Sequence, residues 1–184
     1  MPGIITTIYC SNKLEKFVGK VEPSQSPIAE KILGNWNGNS FHVGGKRCLI
    51  FLNDKTCYCV LMTAVLKMTT LDFSIYFRER LIAQLSNDFR MREGNEVLVR
   101  QQLSNLRFCR TNNNRNVNGT MNQHVSVVPY YSERFGHVEH WDELVISNFF
   151  NQEPVTTKVW ANRNKSGYFF PNEAMGELVN GLKP

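Results

Sequence analysis

The chain has 184 residues, 42% hydrophobic and 20% charged, with 21 basic and 16 acidic side chains for a formal charge of +5. That length suits one domain, 1–184, able to hide about 70% of its unfolded surface. The composition is that of an ordinary soluble globule, and no apolar run approaches the roughly 18 residues of a membrane span, so no membrane partner is expected.

The N-terminal MPGIITTIYC lacks a basic start, a long apolar stretch and a small-residue cleavage site, so Ile4 to Tyr9 read as a first strand rather than a secretory leader. Asn12, with Glu15 three residues on, is expected to cap a brief helix carrying Leu14, Phe17 and Val18 and closed by Gly19. VEPSQSP (21 to 27) is the most linker-like stretch and reads as a loop. In KRCLIFLNDKTCYCVLM two apolar runs flank the turn-forming Asn53-Asp54-Lys55, which predicts a β-hairpin. Alternation puts Cys48, Ile50 and Leu52 on one face of its first strand, and Cys57, Cys59 and Leu61 on one face of its second. Both faces are apolar, so the hairpin is expected in the middle of a sheet with cover on each side.

Phe73, Phe77, Leu81, Leu85 and Phe89 recur every four residues behind Thr69 and Thr70, predicting an amphipathic helix over 71–92 that ends on Arg90 and Arg92 before Gly94. Asn95 is expected to cap a second helix reaching Leu106. RFCR (107 to 110) then resumes as a strand, with HVSVVPYY (124 to 131) as its partner. A further helix is expected from His140 to Phe150, and a last one from Pro171, with Ala174, Met175, Leu178, Val179 and Leu182 inward. Strands and helices mix without strict alternation. The expected fold is therefore α+β, a mainly antiparallel sheet with a central β-hairpin packed by amphipathic helices.

Several stretches together resemble an uncharacterised family of small prokaryotic proteins, a domain of unknown function. They are NKLEKF near the start, Trp36, the hairpin sequence, FCRTNNNRNVNGTMN, LVISNFFNQEPV and FPNEAMGEL. The hairpin and Arg115 to Asn122 are the most specific of these. Members of this kind often carry Ser at the position of Thr120 and Asp at that of Gln123, so no carboxylate-dependent role follows here. The resemblance implies one cytosolic domain and transfers no activity or site residue.

The five cysteines (10, 48, 57, 59 and 109) sit in apolar strand-like runs, which suits reduced thiols and a cytoplasmic protein; the sequons at 118–120 and 164–166 are then chance matches. Cys57 and Cys59 would lie roughly 6.6 Å apart on a strand, against roughly 3.8 Å for two thiolates on one zinc. No CxxC completes a site, so neither a metal nor another cofactor is expected.

Six asparagines fall between 112 and 122, and eight of the arginines between 78 and 115. The asparagine-rich segment is expected to be a hairpin loop with Asn118-Gly119 as its tight turn. Alternatively it is a contact loop, with Arg107, Arg110, Asn112, Asn114, Arg115, Asn118 and Asn122 facing a partner. Lys46 and Arg47, after Gly44-Gly45, are a candidate anion site. His137 and His140, three apart and near Glu143, are the candidates for acid–base or metal chemistry. The P-loop, Gly-x-Ser-x-Gly, His-Glu-x-x-His and dinucleotide patterns are all missing.

The expected function is thus a non-catalytic binding protein that presents a basic, Asn/Arg-rich surface to an acidic protein partner or a nucleic acid. An inhibitor or accessory factor of a mobile element or phage belongs to that class. The alternatives are a small hydrolase or nuclease using His137, His140 and nearby carboxylates, and a nucleic-acid-binding module.

Overall fold

The computed structural model describes residues 5–24, 32–89, 91, 93–156 and 167–182. The expected helix end at Arg90 and Arg92, residues 25–27 of the proposed loop and the sequon at 164–166 lie outside the described residues.

The first strand, β1 (Ile5–Cys10), leads into helix α1 (Asn12–Val18). The cap lies one residue earlier than expected: the Leu14 N–H donates to Ser11 Oγ at 3.2 Å. β2 (Trp36–Val43) had no counterpart among the expected elements. It turns through Gly44 and Gly45, both at positive φ (54° and 78°), into β3 (Lys46–Asn53). A two-residue glycine turn is the connection that matches strand twist. The predicted hairpin is present as β3 and β4 (Cys59–Met62), antiparallel with Leu52 opposite Cys59. Asn53 organises its turn from a fully buried position, its Oδ1 accepting from the Lys55 and Thr56 N–H groups (3.0 and 3.1 Å) while its Nδ2 donates to Leu33 O (2.7 Å).

The remaining elements are α2 (Thr70–Phe89), α3 (Glu93–Gln102), β5 (Asn105–Arg110), α4 (Arg115–Val127), α5 (Tyr131–Phe135), α6 (Glu143–Gln152) and α7 (Pro171–Asn180), with 3₁₀ turns at Val128–Tyr130 and Val138–His140. Asn95 lies inside α3 rather than capping it, and Leu106 belongs to β5. The stretch HVSVVPYY is helical and pairs with no strand. Its Asn-rich predecessor is a loop plus the start of α4 rather than a hairpin, and Asn118-Gly119 sits within the helix. Val117, Met121, His124 and Val128 are buried at spacings of four, three and four, a helical stripe that outweighs the turn-like composition.

The fold is α+β around a five-stranded sheet of order β4-β3-β2-β1-β5. The sheet is mixed, so the expected mainly antiparallel sheet is right in part. β2–β3 and β3–β4 are antiparallel, but β1 pairs parallel with both β2 and β5. The hairpin sits at one end of the sheet, not its centre, with β4 as the outer strand.

Both faces are covered, as the hairpin's two apolar faces require. On one face Ile8, Leu49, Phe51 and Val60 pack with Leu14 and Phe17 of α1, Phe73, Phe77 and Leu85 of α2, Val99 of α3 and Met175 of α7. On the other, Phe41, Cys48, Ile50, Leu52 and Leu61 pack with Val117 and Met121 of α4 and Ile146 and Phe150 of α6. Gly38 admits α1 to the sheet: a Cβ there would meet Leu14 and Phe51 side-chain carbons at 2.5 Å. No helix among the described residues is long and apolar enough to cross a membrane.

The outer edge of β4 is closed by side chains of α6. Glu143 accepts from the Thr63 N–H, and Ser147 Oγ accepts from the Leu61 N–H at 3.0 Å. Asn151 accepts from the Cys59 N–H (2.6 Å) and donates to the Cys59 carbonyl (3.0 Å). Four residues of helix rise about 6 Å and two of strand about 6.7 Å, so residues four apart on α6 keep step with alternate residues of β4. An edge covered in this way cannot recruit another strand.

Candidate functional site

β1 and β5 end flush, Cys10 opposite Arg110. From these adjacent parallel strands the chain departs in opposite senses, into α1 on one face and α4 on the other. Where successive connections part like this, the carboxyl ends of the strands border a crevice, the usual place for a ligand on such sheets. The corresponding place here is bordered by Ser11 and Asn12 after β1 and by Arg110 to Arg115 after β5, and these residues form a rim.

The β5 side of the rim is held by its own side chains. Thr111 Oγ1 accepts from the Asn113 N–H, Asn112 Oδ1 from the Asn114 N–H (both 3.1 Å), and Asn114 Oδ1 caps α4 by accepting from the Val117 N–H at 3.3 Å. Asn113 takes a φ of 54°, a left-handed conformation that asparagine tolerates better than most residues. On the β1 side Ser11 Oγ donates to Asn39 Oδ1 at 2.7 Å.

Several cations stand near these strand ends. The first turn of a helix carries a partial positive charge and unsatisfied N–H groups, and it ordinarily attracts acidic side chains. α4 has no acid in its first turn and begins with Arg115, which is exposed together with Asn116. Arg110 is 67% exposed, with only a long 3.7 Å contact to Glu15. Lys13 and Lys16 are exposed on α1.

The sequence-predicted contact residues divide around this rim. Arg110, Asn112, Asn114 and Arg115 border it. Asn118 and Asn122 lie farther along α4, and Arg107 faces the opposite side of β5 from Arg110, 3.5 Å from Glu22. Lys46 and Arg47 diverge as neighbours on a strand must: Lys46 pairs with Glu139, while the Arg47 guanidinium lies 5.0 Å from the centre of the Phe17 ring. They do not converge on one anion.

His137 and His140 are exposed at either end of a 3₁₀ turn, whereas Glu143 is drawn into the protein, its Oε2 accepting from Arg80 Nε at 2.9 Å. Lys46 holds the Glu139 carboxyl below its usual range. Among the described residues no group of three or more His, Cys, Asp or Glu is placed to hold a metal ion. The thiols are buried, which pushes Cys10 and Cys57 up to about 12 and Cys48 to about 11, so none is a ready nucleophile.

Sequence reasoning missed the polar ladder beside Glu143. Arg80 Nη2 donates to Gln84 Oε1 (3.3 Å), Gln84 Nε2 to Asp88 (3.0 Å) and Leu144 O (3.1 Å), and the Tyr58 hydroxyl to Asp88 (2.5 Å). The available signal was Arg80, Gln84 and Asp88 spaced by four along one side of α2. His124, also unassigned, stacks 4.3 Å from Phe150 with Nε2 unpartnered, and burial lowers it to about 4.

A family model for a domain of unknown function (DUF6933) matches residues 7–174. Among curated proteins nothing matches the chain.

Proposed function

We propose that this chain, which belongs to the DUF6933 family, a domain of unknown function, is a binding protein whose rim at the carboxyl ends of β1 and β5 holds an anionic group of an acidic macromolecular partner. The observation that carries the reading is the start of α4. Arg115 stands where an acid is expected, the first turn contains none, and Arg110, at the end of β5, adds a second exposed cation on the α1 side, 3.7 Å from Glu15. A cation at that end of a helix is unfavourable alone and becomes favourable once an anion lies between it and the free N–H groups. Asn112 and Asn114 spend their oxygens inside the loop, so their role is to hold the rim open toward solvent.

A hydrolase or nuclease built on His137, His140 and Glu143 finds less support. Glu143 is committed to Arg80 and to the backbone of the β4 strand's extension, and it is not available as a free base beside two solvated imidazoles.

Titration of the full chain with a duplex oligonucleotide and, separately, with poly-glutamate tests the proposal through backbone amide shifts. The expected result is a set of shifts confined to residues 110–116 and the start of α1 for one of the two polymers. Shifts centred on 137–143, or none with either polymer at low salt, would remove the basis of the reading.

A further inference from the structure

The two outer strands of the sheet end differently. β4 has its edge taken up by α6, whereas among the described residues β5 meets a single one, Glu22, whose N–H donates to Phe108 O and whose carbonyl accepts from the Arg110 N–H, both at 2.9 Å. A strand residue turns its N–H and C=O to the same side, and alternate residues turn them to opposite sides. Residues 108 and 110 face outward, so Leu106 does too. Among the described residues, the Leu106 N–H and C=O and the Phe108 N–H therefore lie on an edge that no strand pairs. Beside them lies a recess of about 460 Å³, its lining including the apolar Ile5, Leu106 and Phe108 and the charged Lys20, Glu22 and Arg107.

We propose that this free edge of β5 takes an extended, acidic peptide segment of a partner protein, added as a further strand. The backbone groups supply the pairing, the apolar wall receives alternate side chains, and the two cations select the sign of the others. Glu22, 3.5 Å from Arg107, is the acid in that lining, and Lys20 with Arg107 leaves the cations in excess. A second copy of this chain is the wrong occupant. Self-pairing of β5 about its centre at Arg107 would set that residue against its own copy, and like charges across a pair of strands repel. The site uses backbone groups, Lys20 and Arg107, none of which belongs to the rim at Arg110 and Arg115, so the two proposals stand or fall separately.

The test uses a short labelled peptide alternating valine with glutamate, its N-methylated form, and a valine–lysine form, each titrated against the full chain by anisotropy and amide shifts. Binding of the glutamate peptide is expected to shift the Leu106 and Phe108 amides. It should weaken about tenfold or more on N-methylation, a loss of about 1.4 kcal/mol, and similarly in Lys20→Glu/Arg107→Glu. Arg110→Ala/Arg115→Ala should leave the peptide-induced shifts of the Leu106 and Phe108 amides unchanged. Leu106→Pro removes the edge N–H; should it fail to fold, the charge-reversed variant, which keeps every backbone group, still decides. Equal binding of all three peptides, shifts away from 105–108, no binding, or a concentration-dependent dimer broken by the charge reversal would each overturn the proposal.

Discussion

Arg80 of α2 and Glu143 of α6 meet at 2.9 Å, largely buried (side chains 8% and 19% exposed), and the same carboxylate accepts from the Thr63 N–H and hydroxyl. One acidic side chain thus ties two helices to the end of an edge strand. Removing it leaves the buried Arg80 guanidinium without its carboxylate, with Gln84 as its remaining partner, and strips the Thr63 N–H of its acceptor. Glu143→Ala is expected to destabilise the fold by about 2–4 kcal/mol, with Glu143→Gln, which keeps an acceptor for Thr63, costing less. Urea unfolding measures both. Equal and small losses would mean that solvent already screens the pair.

Gly119 tests the helical reading of the asparagine-rich segment. It lies inside α4, and a Cβ there meets nothing within 4 Å. Gly119→Ala is expected to stabilise the protein by up to about 1 kcal/mol, because alanine loses less entropy in a helix interior. A tight turn at Asn118-Gly119 would instead need positive φ at the glycine and make the same change destabilising. A rise or fall in the thermal midpoint decides the sign.

His124 gives the fold a pH dependence. Burial depresses its folded pKa to about 4, from about 6.5 in an unfolded chain. Between those values the unfolded state binds the extra proton. Its contribution is therefore complete above about pH 6.5 and is lost as the pH falls toward 4, about 3 kcal/mol in all. Unfolding free energies measured across that window should fall with pH in the parent and fall less in His124→Phe. An imidazole titrating near 6.5 in the native protein would contradict the assignment.

The parts of the fold legible in the sequence are those whose burial pattern is local. The hairpin shows as two apolar runs about a turn, and α2 shows as phenylalanine and leucine spaced by four. β2 was not legible: Asn37, Asn39 and Ser40 interrupt its apolar run, and its pairing with β1 and β3 supplies what its composition lacks. α4 was hidden for the opposite reason, because asparagine and glycine signal a turn locally while Val117, Met121 and His124 find their partners on the sheet. Of the candidate site, Arg110 and Arg115 stood out by charge. Glu143 drew attention beside two histidines, yet its partner Arg80 lies 63 residues earlier, a pairing no spacing rule reveals.

The most direct measurement is the salt dependence of polyanion binding by the parent and by Arg110→Ala/Arg115→Ala, which alters exposed side chains alone. Each phosphate neutralised on duplex DNA adds about 0.9 to the slope of log K against log salt. If the rim holds a nucleic acid, the double variant should bind more weakly at low salt with a slope shallower by about 1–2, and if it holds an acidic protein segment the same weakening should appear with poly-glutamate. Identical affinities and slopes for the two proteins, with either polymer, would contradict the rim as the working surface.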